Sequence, residues 1–289
     1  MKAALIVNPI AGQGRIEKNL SKIKNRLEIA GFDLTVYVTE HEGQATRLAE
    51  RAVEEGIKTV IAAGGDGTVS EVINGLAKKN IKFGLIPAGT ADVFAHEVGI
   101  PTHNPFKACD IIIDGKNKRI DLGKANDKYF VLMAGVGFDA QVVHEVKPEI
   151  KRLLKDVAYP LTGFKTLLTY KPSLLRIRLD DEPTEGYFVV VGNAKYYAGS
   201  FSVTREAKID DGLLDVCVFT GKTAASFVKY VQGVITGGHL RFSDVSYYRA
   251  KKIKIVSDGP ALVQADGEII GKTPMKFSIA PRALEVLVP

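Results

Sequence analysis

Tryptophan is absent from the sequence and cysteine nearly so, with Cys109 and Cys217 widely separated. Two distant cysteines exclude a disulfide framework and a cysteine-based zinc site, and they fit a reducing, cytoplasmic setting. Long apolar runs are also missing: none approaches the ~18 residues that cross a membrane. The opening Met1-Lys2-Ala3-Ala4-Leu5-Ile6-Val7-Asn8-Pro9 is too short an apolar stretch for a signal peptide and carries no obvious cleavage site; it reads as a buried first strand. Neither sign of charge dominates. Lys and Arg number 39 against 33 Asp and Glu, a net +6, which suits anionic partners such as nucleotides or lipid headgroups without calling for nucleic acid. The aromatic–basic interleaving of single-strand binders is missing as well. What is present is ordinary globular material: 289 residues, 46% apolar and 25% charged, enough for one large or two modest domains.

The pattern changes along the chain. In the first part, short apolar runs (Ala3–Val7, Leu34–Val38, Thr59–Ala63, Phe83–Ile86) alternate with helical stripes. Ile16, Leu20, Ile23 and Leu27 recur at helical spacing and Gly31 closes that helix; Ala45–Val53 and Val69, Val72, Ile73, Leu76 repeat the theme. Such alternation predicts an α/β domain with a parallel sheet. From about residue 118 strands dominate: Arg119–Lys124 and Tyr129–Ala134 as a hairpin, then Leu174–Leu179, Tyr187–Val191, Leu213–Phe219, Lys252–Val256, Ala261–Gln264, Lys276–Ile279 and Leu284–Val288, with helices at Ile150–Leu168 and Ala224–Ile235. This predicts a mainly antiparallel, β-sandwich-like C-terminal domain. The expected division is 1–124 and 125–289, with the last strand packing back on the first domain. Cys109, in a helix, and Cys217, in a strand, are expected in the core.

The strongest chemical signal is Gly64-Gly65-Asp66-Gly67-Thr68, between a predicted strand and a predicted helix. Glycines let a backbone approach a ligand without a Cβ in the way, and free amides at the helix start favour an anion. Asp66 repels phosphate; it orders the loop or meets the metal ion that accompanies a nucleotide. A plain strand–helix turn would use similar residues, but the glycine density favours phosphate. Other signatures fail. Gly221-Lys222-Thr223 and Gly271-Lys272-Thr273 end like a phosphate loop, yet Val216 and Asp266 stand where its first glycine belongs. His96-Glu97 lacks a second histidine at metalloprotease spacing.

Followed by Glu71-Val72-Ile73-Asn74-Gly75, the glycine turn resembles the diacylglycerol kinase catalytic domain. Asn8-Pro9-Ile10-Ala11-Gly12, Pro87-Ala88-Gly89-Thr90, Lys208-Ile209-Asp210-Asp211-Gly212-Leu213 and Asp266-Gly267-Glu268 match further motifs of that family in order. The glycine motif alone is shared with NAD kinases; the full set resembles the small bacterial lipid kinases. One position departs: Asp92 stands where the family usually has Asn.

The resemblance implies an ATP- and Mg2+-dependent kinase transferring the γ-phosphate to a lipid hydroxyl, with a diacylglycerol-like acceptor. It implies that Asn8, Pro9, Gly12, Thr39, the segment Gly64, Gly65, Asp66, Gly67, Thr68, Val69, Ser70 and Glu71, and Thr90 line the ATP site. It assigns Glu268 as the base, supported by Asp266, because a poor hydroxyl nucleophile needs a carboxylate within one hydrogen bond. It further implies a structural magnesium on Asp211 and the carbonyls of Lys208 and Leu213. The expected partner is a lipid at the membrane surface, with peripheral contact at the inner face; the basic and apolar stretch Lys147–Arg178 is a candidate for that contact. An edge strand would allow a homodimer. Two other readings remain: an NAD kinase-like enzyme on a soluble substrate, and a nucleotide-binding module without turnover.

Overall fold

The computed structural model describes residues 1–145, 170–197, 199 and 201–289. The chain forms two compact units, Met1–Leu122 with Ala280–Pro289, and Gly123–Ile279.

In the first unit, β1 (Lys2–Val7), α1 (Arg15–Ile29), β2 (Asp33–Val38), α2 (Gln44–Glu54), β3 (Thr59–Gly64), α3 (Asp66–Leu76) and β4 (Lys82–Pro87) alternate as their periodicity requires. The strands lie in the order β2-β1-β3-β4 and pair in parallel. Both faces are covered, so Ala3–Val7 and Val60–Ala63 are fully buried. Ile16, Ile23 and Leu27 turn inward from α1, and Gly31 ends it at φ +89°. α2 and α3 approach closely because residue 75 is glycine: a Cβ there would stand 2.6 Å from the Thr46 carbonyl. Two shorter helices follow, α4 (Val93–Glu97) and α5 (Pro105–Asp114). Asn104 caps α5 by accepting from the amides of Phe106 and Lys107.

The second unit contains the end of β5 (Lys116–Ala125), then β6 (Lys128–Phe130), β7 (Met133–Val136), α6 (Phe138–Glu145), β8 (Leu175–Leu179), β9 (Glu182–Gly186), β10 (Phe188–Gly192), β11 (Leu214–Phe219), α7 (Ala224–Thr236), β12 (Val245–Ala250), β13 (Lys252–Ser257), β14 (Leu262–Ala265), β15 (Glu268–Lys272) and the start of β16 (Met275–Val288). One sheet runs β12-β11-β10-β7-β14-β15, with every pairing antiparallel. β13 joins β16 and β8, and β8 joins β9, all antiparallel. Val189, Val191, Val216 and Val263 from the first sheet share a core with Ile177, Ile253, Ile255 and Phe277 from the second. This is the predicted sandwich. The other face of the first sheet carries Val190, Cys217 and Phe219, covered by Phe138 of α6 and Phe227 and Tyr230 of α7. Both cysteines are buried.

Several expectations need correction. The single run Tyr129–Ala134 is two strands, β6 and β7, because the amides of Val131, Leu132 and Met133 are drawn onto the Asp266 carboxylate. The two terminal runs are one strand, β16. Pro281 does not end it: Arg282 adopts φ +51° and gives its amide to Asp121 Oδ1 at 2.7 Å, so the strand bends instead. β9 and β12 were not foreseen. β9 reads Glu-Pro-Thr-Glu-Gly and is buried only at Gly186, with Thr184 half-buried, so no alternation of apolar residues marks it. The expected helix at 150–168 lies outside the described residues, as does most of the basic stretch. Of that stretch, Arg176 and Arg178 project from the exposed face of β8.

Candidate functional site

The ends of β1, β3 and β4 meet around the glycine turn. Asn8, the first residue beyond β1, donates from Nδ2 to Thr68 Oγ1 at 3.1 Å, and its Oδ1 accepts the Ile10 amide. Thr39 is buried where β2 ends and gives both its amide and its hydroxyl to the Val7 carbonyl, at 2.8 and 3.3 Å. Gly12 has φ +59°, and a Cβ there would stand 2.8 Å from the Ala88 carbonyl. A Cβ on Gly64 would be 2.7 Å from the Thr68 side chain, and one on Gly65 3.0 Å from the Gly89 Cα. These glycines let three loops close on one another.

Gly67 differs from all of them. It lies within α3, it is outside the left-handed region, and a Cβ there would meet nothing within 4 Å among the described residues. Neither its conformation nor the packing of the described residues asks for glycine, which costs up to about 1 kcal/mol against alanine in a helix. Gly65 is the residue preceding α3, and no side chain caps the helix there. An anion brought up to the first-turn amides would account for both features.

Asp66 opens α3 and accepts the Phe94 amide at 3.2 Å. Asp92 lies behind it, 4% exposed, at φ +45°, and accepts the Gly89 amide at 2.6 Å. Burial foremost, with the nearby Asp66 charge, pushes its carboxyl up to about 6, while the Gly89 amide and Arg15 act in the opposite direction. Among the other expected nucleotide residues, Pro9 is half-buried and Thr90 exposed. Val69 and Ser70 are buried in the packing of α3. The Glu71 carboxylate accepts the Ala45 amide at 2.9 Å, which caps α2.

In the second unit, Asp266 and Gly267 form the two-residue turn between β14 and β15, with φ +46° and +83°. This is the hairpin geometry that Asp-Gly favours. The Asp266 carboxylate accepts three consecutive amides, from Val131, Leu132 and Met133, at 2.7 to 3.1 Å. Glu268 is the first residue of β15. It is partly exposed and paired with Lys128 Nζ at 2.5 Å. The other half of the turn rests on Gln264, whose Oε1 accepts the Gly267 amide at 2.8 Å and whose Nε2 donates to the buried Asp139 at 2.6 Å.

The loop of Lys208, Asp211 and Leu213 is more committed than the resemblance implies. Asp211 Oδ1 accepts the Leu213 amide at 3.1 Å and Oδ2 is paired with the Arg249 guanidinium. An arginine therefore already neutralises the carboxylate that magnesium would need. Among the described residues no three His, Cys, Asp or Glu side chains gather in a way that could hold a metal ion.

Comparison with known proteins decides the family. Residues 2–125 match the model of the diacylglycerol kinase catalytic domain, and residues 133–288 that of the YegS C-terminal NAD kinase beta sandwich-like domain. The chain belongs to the diacylglycerol kinase family. A diacylglycerol kinase of Staphylococcus saprophyticus is 34% identical over 292 residues, covering 100% of this chain and 95% of the relative. One from Staphylococcus aureus is 34% identical over 292 residues, covering 100% and 92%. A crystal structure of a diacylglycerol kinase from Bacillus anthracis superposes with a TM-score of 0.83 at 30% identity, covering 100% of this chain and 97% of that one. The resemblance read from the motifs is thereby confirmed, and with it the two-part architecture. The diacylglycerol kinase family is one of phosphotransferases acting on an alcohol.

Sequence reasoning missed Lys128, Asp139 and Gln264. Lys128 lies in a predicted turn and looks like a solvated charge. Asp139 and Gln264 are single polar residues in apolar surroundings, and nothing in their local sequence marks them.

Proposed function

We propose that this chain is an ATP-dependent lipid kinase that transfers the γ-phosphate to a diacylglycerol-like acceptor. Gly67 carries the reading: its backbone is left bare at the start of α3 where the protein itself has no use for a missing side chain. The amides of the turn hold the triphosphate, and Asn8 keeps Thr68 oriented. Asp66 is the residue that would hold the magnesium ion accompanying the nucleotide, which when bound neutralises charge on the phosphoryl oxygens. Glu268 takes the proton from the acceptor hydroxyl as its oxygen attacks the γ-phosphorus, and the leaving group is ADP. Lys128 keeps that carboxylate aimed from one side. Positioning and charge neutralisation supply most of the rate. A structural magnesium on Lys208, Asp211 and Leu213 would have to displace Arg249 from Asp211.

The second part of the chain matches a sandwich named for NAD kinase, which keeps a soluble-substrate kinase as the alternative. The deciding assay offers radiolabelled ATP with diacylglycerol micelles, with a total lipid extract and with NAD, and identifies the product by mass. Label on a lipid is the expected result. Label on NAD, or nucleotide-induced stabilisation with no transfer, would overturn it.

A further inference from the structure

Behind the Asp266-Gly267 turn a buried carboxylate dictates which way one amide faces. Asp139, in the first turn of α6, is 6% exposed. It reaches β14 because residue 135 on β7 is glycine: a Cβ there would stand 1.9 Å from Asp139 Oδ2. Gly135 is the register partner of Gln264, so the gap opens directly onto the glutamine. Asp139 Oδ1 accepts from the Tyr197 hydroxyl and Oδ2 from Gln264 Nε2 at 2.6 Å.

An ionised Asp139 can only accept, so the glutamine presents its NH2 to it. Its Oε1 is then turned the other way, onto the Gly267 amide at 2.8 Å. An inverted amide would set oxygen against oxygen on one side and donor against donor on the other. Asp139 and Gln264 are both buried, so the conflict between them is not relieved by solvent, and the exposed Gly267 amide loses its acceptor. Asp266 fixes the first residue of the turn through the amides of Val131 to Met133, and the Asp139–Gln264 pair fixes the second. The next residue is Glu268. Burial also pushes the Asp139 carboxyl up, with Tyr197 and Gln264 opposing that shift by donating to its charged form.

We infer that Asp139 and Gln264 are positioning residues for phosphoryl transfer, aiming Glu268 through a fixed amide orientation across the Gly267 turn. The inference rests on Glu268 being the base. Its test reverses the polarity of the pair with isosteric variants: Q264E, D139N and the double variant, each followed by kinetics with ATP and diacylglycerol micelles and by hydrogen exchange at the Gly267 amide. In Q264E two carboxyl groups face one another, so at a pH where both are ionised kcat falls roughly tenfold to a hundredfold with the KM for ATP unchanged, and Gly267 exchanges faster. D139N alone stays within about threefold of the parent, because its amide oxygen replaces the lost acceptor. In the double variant the D139N amide donates to the Q264E carboxylate, whose other oxygen takes the Gly267 amide; kcat and exchange return towards the parent. Unchanged Gly267 exchange in Q264E, or a double variant that is no better than Q264E or does not fold, overturns the inference. E268Q measured alongside separates the two levels: full turnover there defeats the role of Glu268, whatever the exchange data show.

Discussion

The two glycine-containing acidic turns of this chain look alike on paper and are built in opposite ways. At Gly64–Thr68 the amides of the helix start receive no capping side chain, and Gly67 leaves the backbone bare. At Asp266–Glu268 the carboxylate of the turn consumes the amides around it, three of them from Val131 to Met133. One turn has no side-chain cap at its helix start; the other spends its carboxylate on neighbouring amides and is followed by Glu268. The difference teaches that Asp-Gly in a sequence says nothing of its use until the destination of each neighbouring amide is known.

Variants at the two turns should therefore fail in different ways. The largest effect belongs to Glu268→Gln, which should lower kcat by about 10²–10⁴-fold while leaving unfolding unchanged, seen by steady-state kinetics beside a thermal melt. Asp266→Ala should do the reverse in kind: it strands three amides at once and should cost about 3–5 kcal/mol of stability, measured by urea denaturation. A variant that loses activity but not stability would mean that Asp266 itself touches substrate. Gly64→Ala forces a Cβ against Thr68 and should destabilise by about 1–3 kcal/mol, with weaker nucleotide binding as a consequence of the distorted turn.

A smaller effect follows from Asp92, whose carboxyl is raised to about 6 from 3.8, chiefly by burial. Between those two values the folded form holds a proton that the unfolded form releases. Stability therefore falls as pH rises through that window, and the penalty is in full force above it. Asp92→Asn keeps an acceptor for the Gly89 amide and removes the buried charge. It should gain about 1–3 kcal/mol at pH 7.5 and little at pH 4, and it should tighten ATP binding by removing a charge of like sign. Denaturation at the two pH values checks the first, titration calorimetry the second.

Much of this was legible beforehand. The stripe Ile16, Ile23, Leu27 and the runs Ala3–Val7 and Thr59–Ala63 required a parallel sheet under helices, because only burial on both faces suits them. The division of labour was hidden, since it lies in pairings between residues remote in sequence. Nothing local says that Glu71 caps α2, that Val131 and Leu132 leave the strand for Asp266, or that Asp211 is taken by Arg249. Asp92 stood out only as a departure from a motif; its burial and raised pKa come from packing. Gly67 is the converse case: a motif residue that stands out from the other glycines of the turn only when the space around it proves open.

That residue gives the most direct test. Gly67→Ala adds a methyl group to a helix position with nothing within 4 Å among the described residues, so the melting temperature should hold or rise slightly, while calorimetric titration with ATP and magnesium should show affinity weakened by about tenfold. Unaltered ATP affinity in an equally stable variant would contradict the claim that the triphosphate lies against this turn.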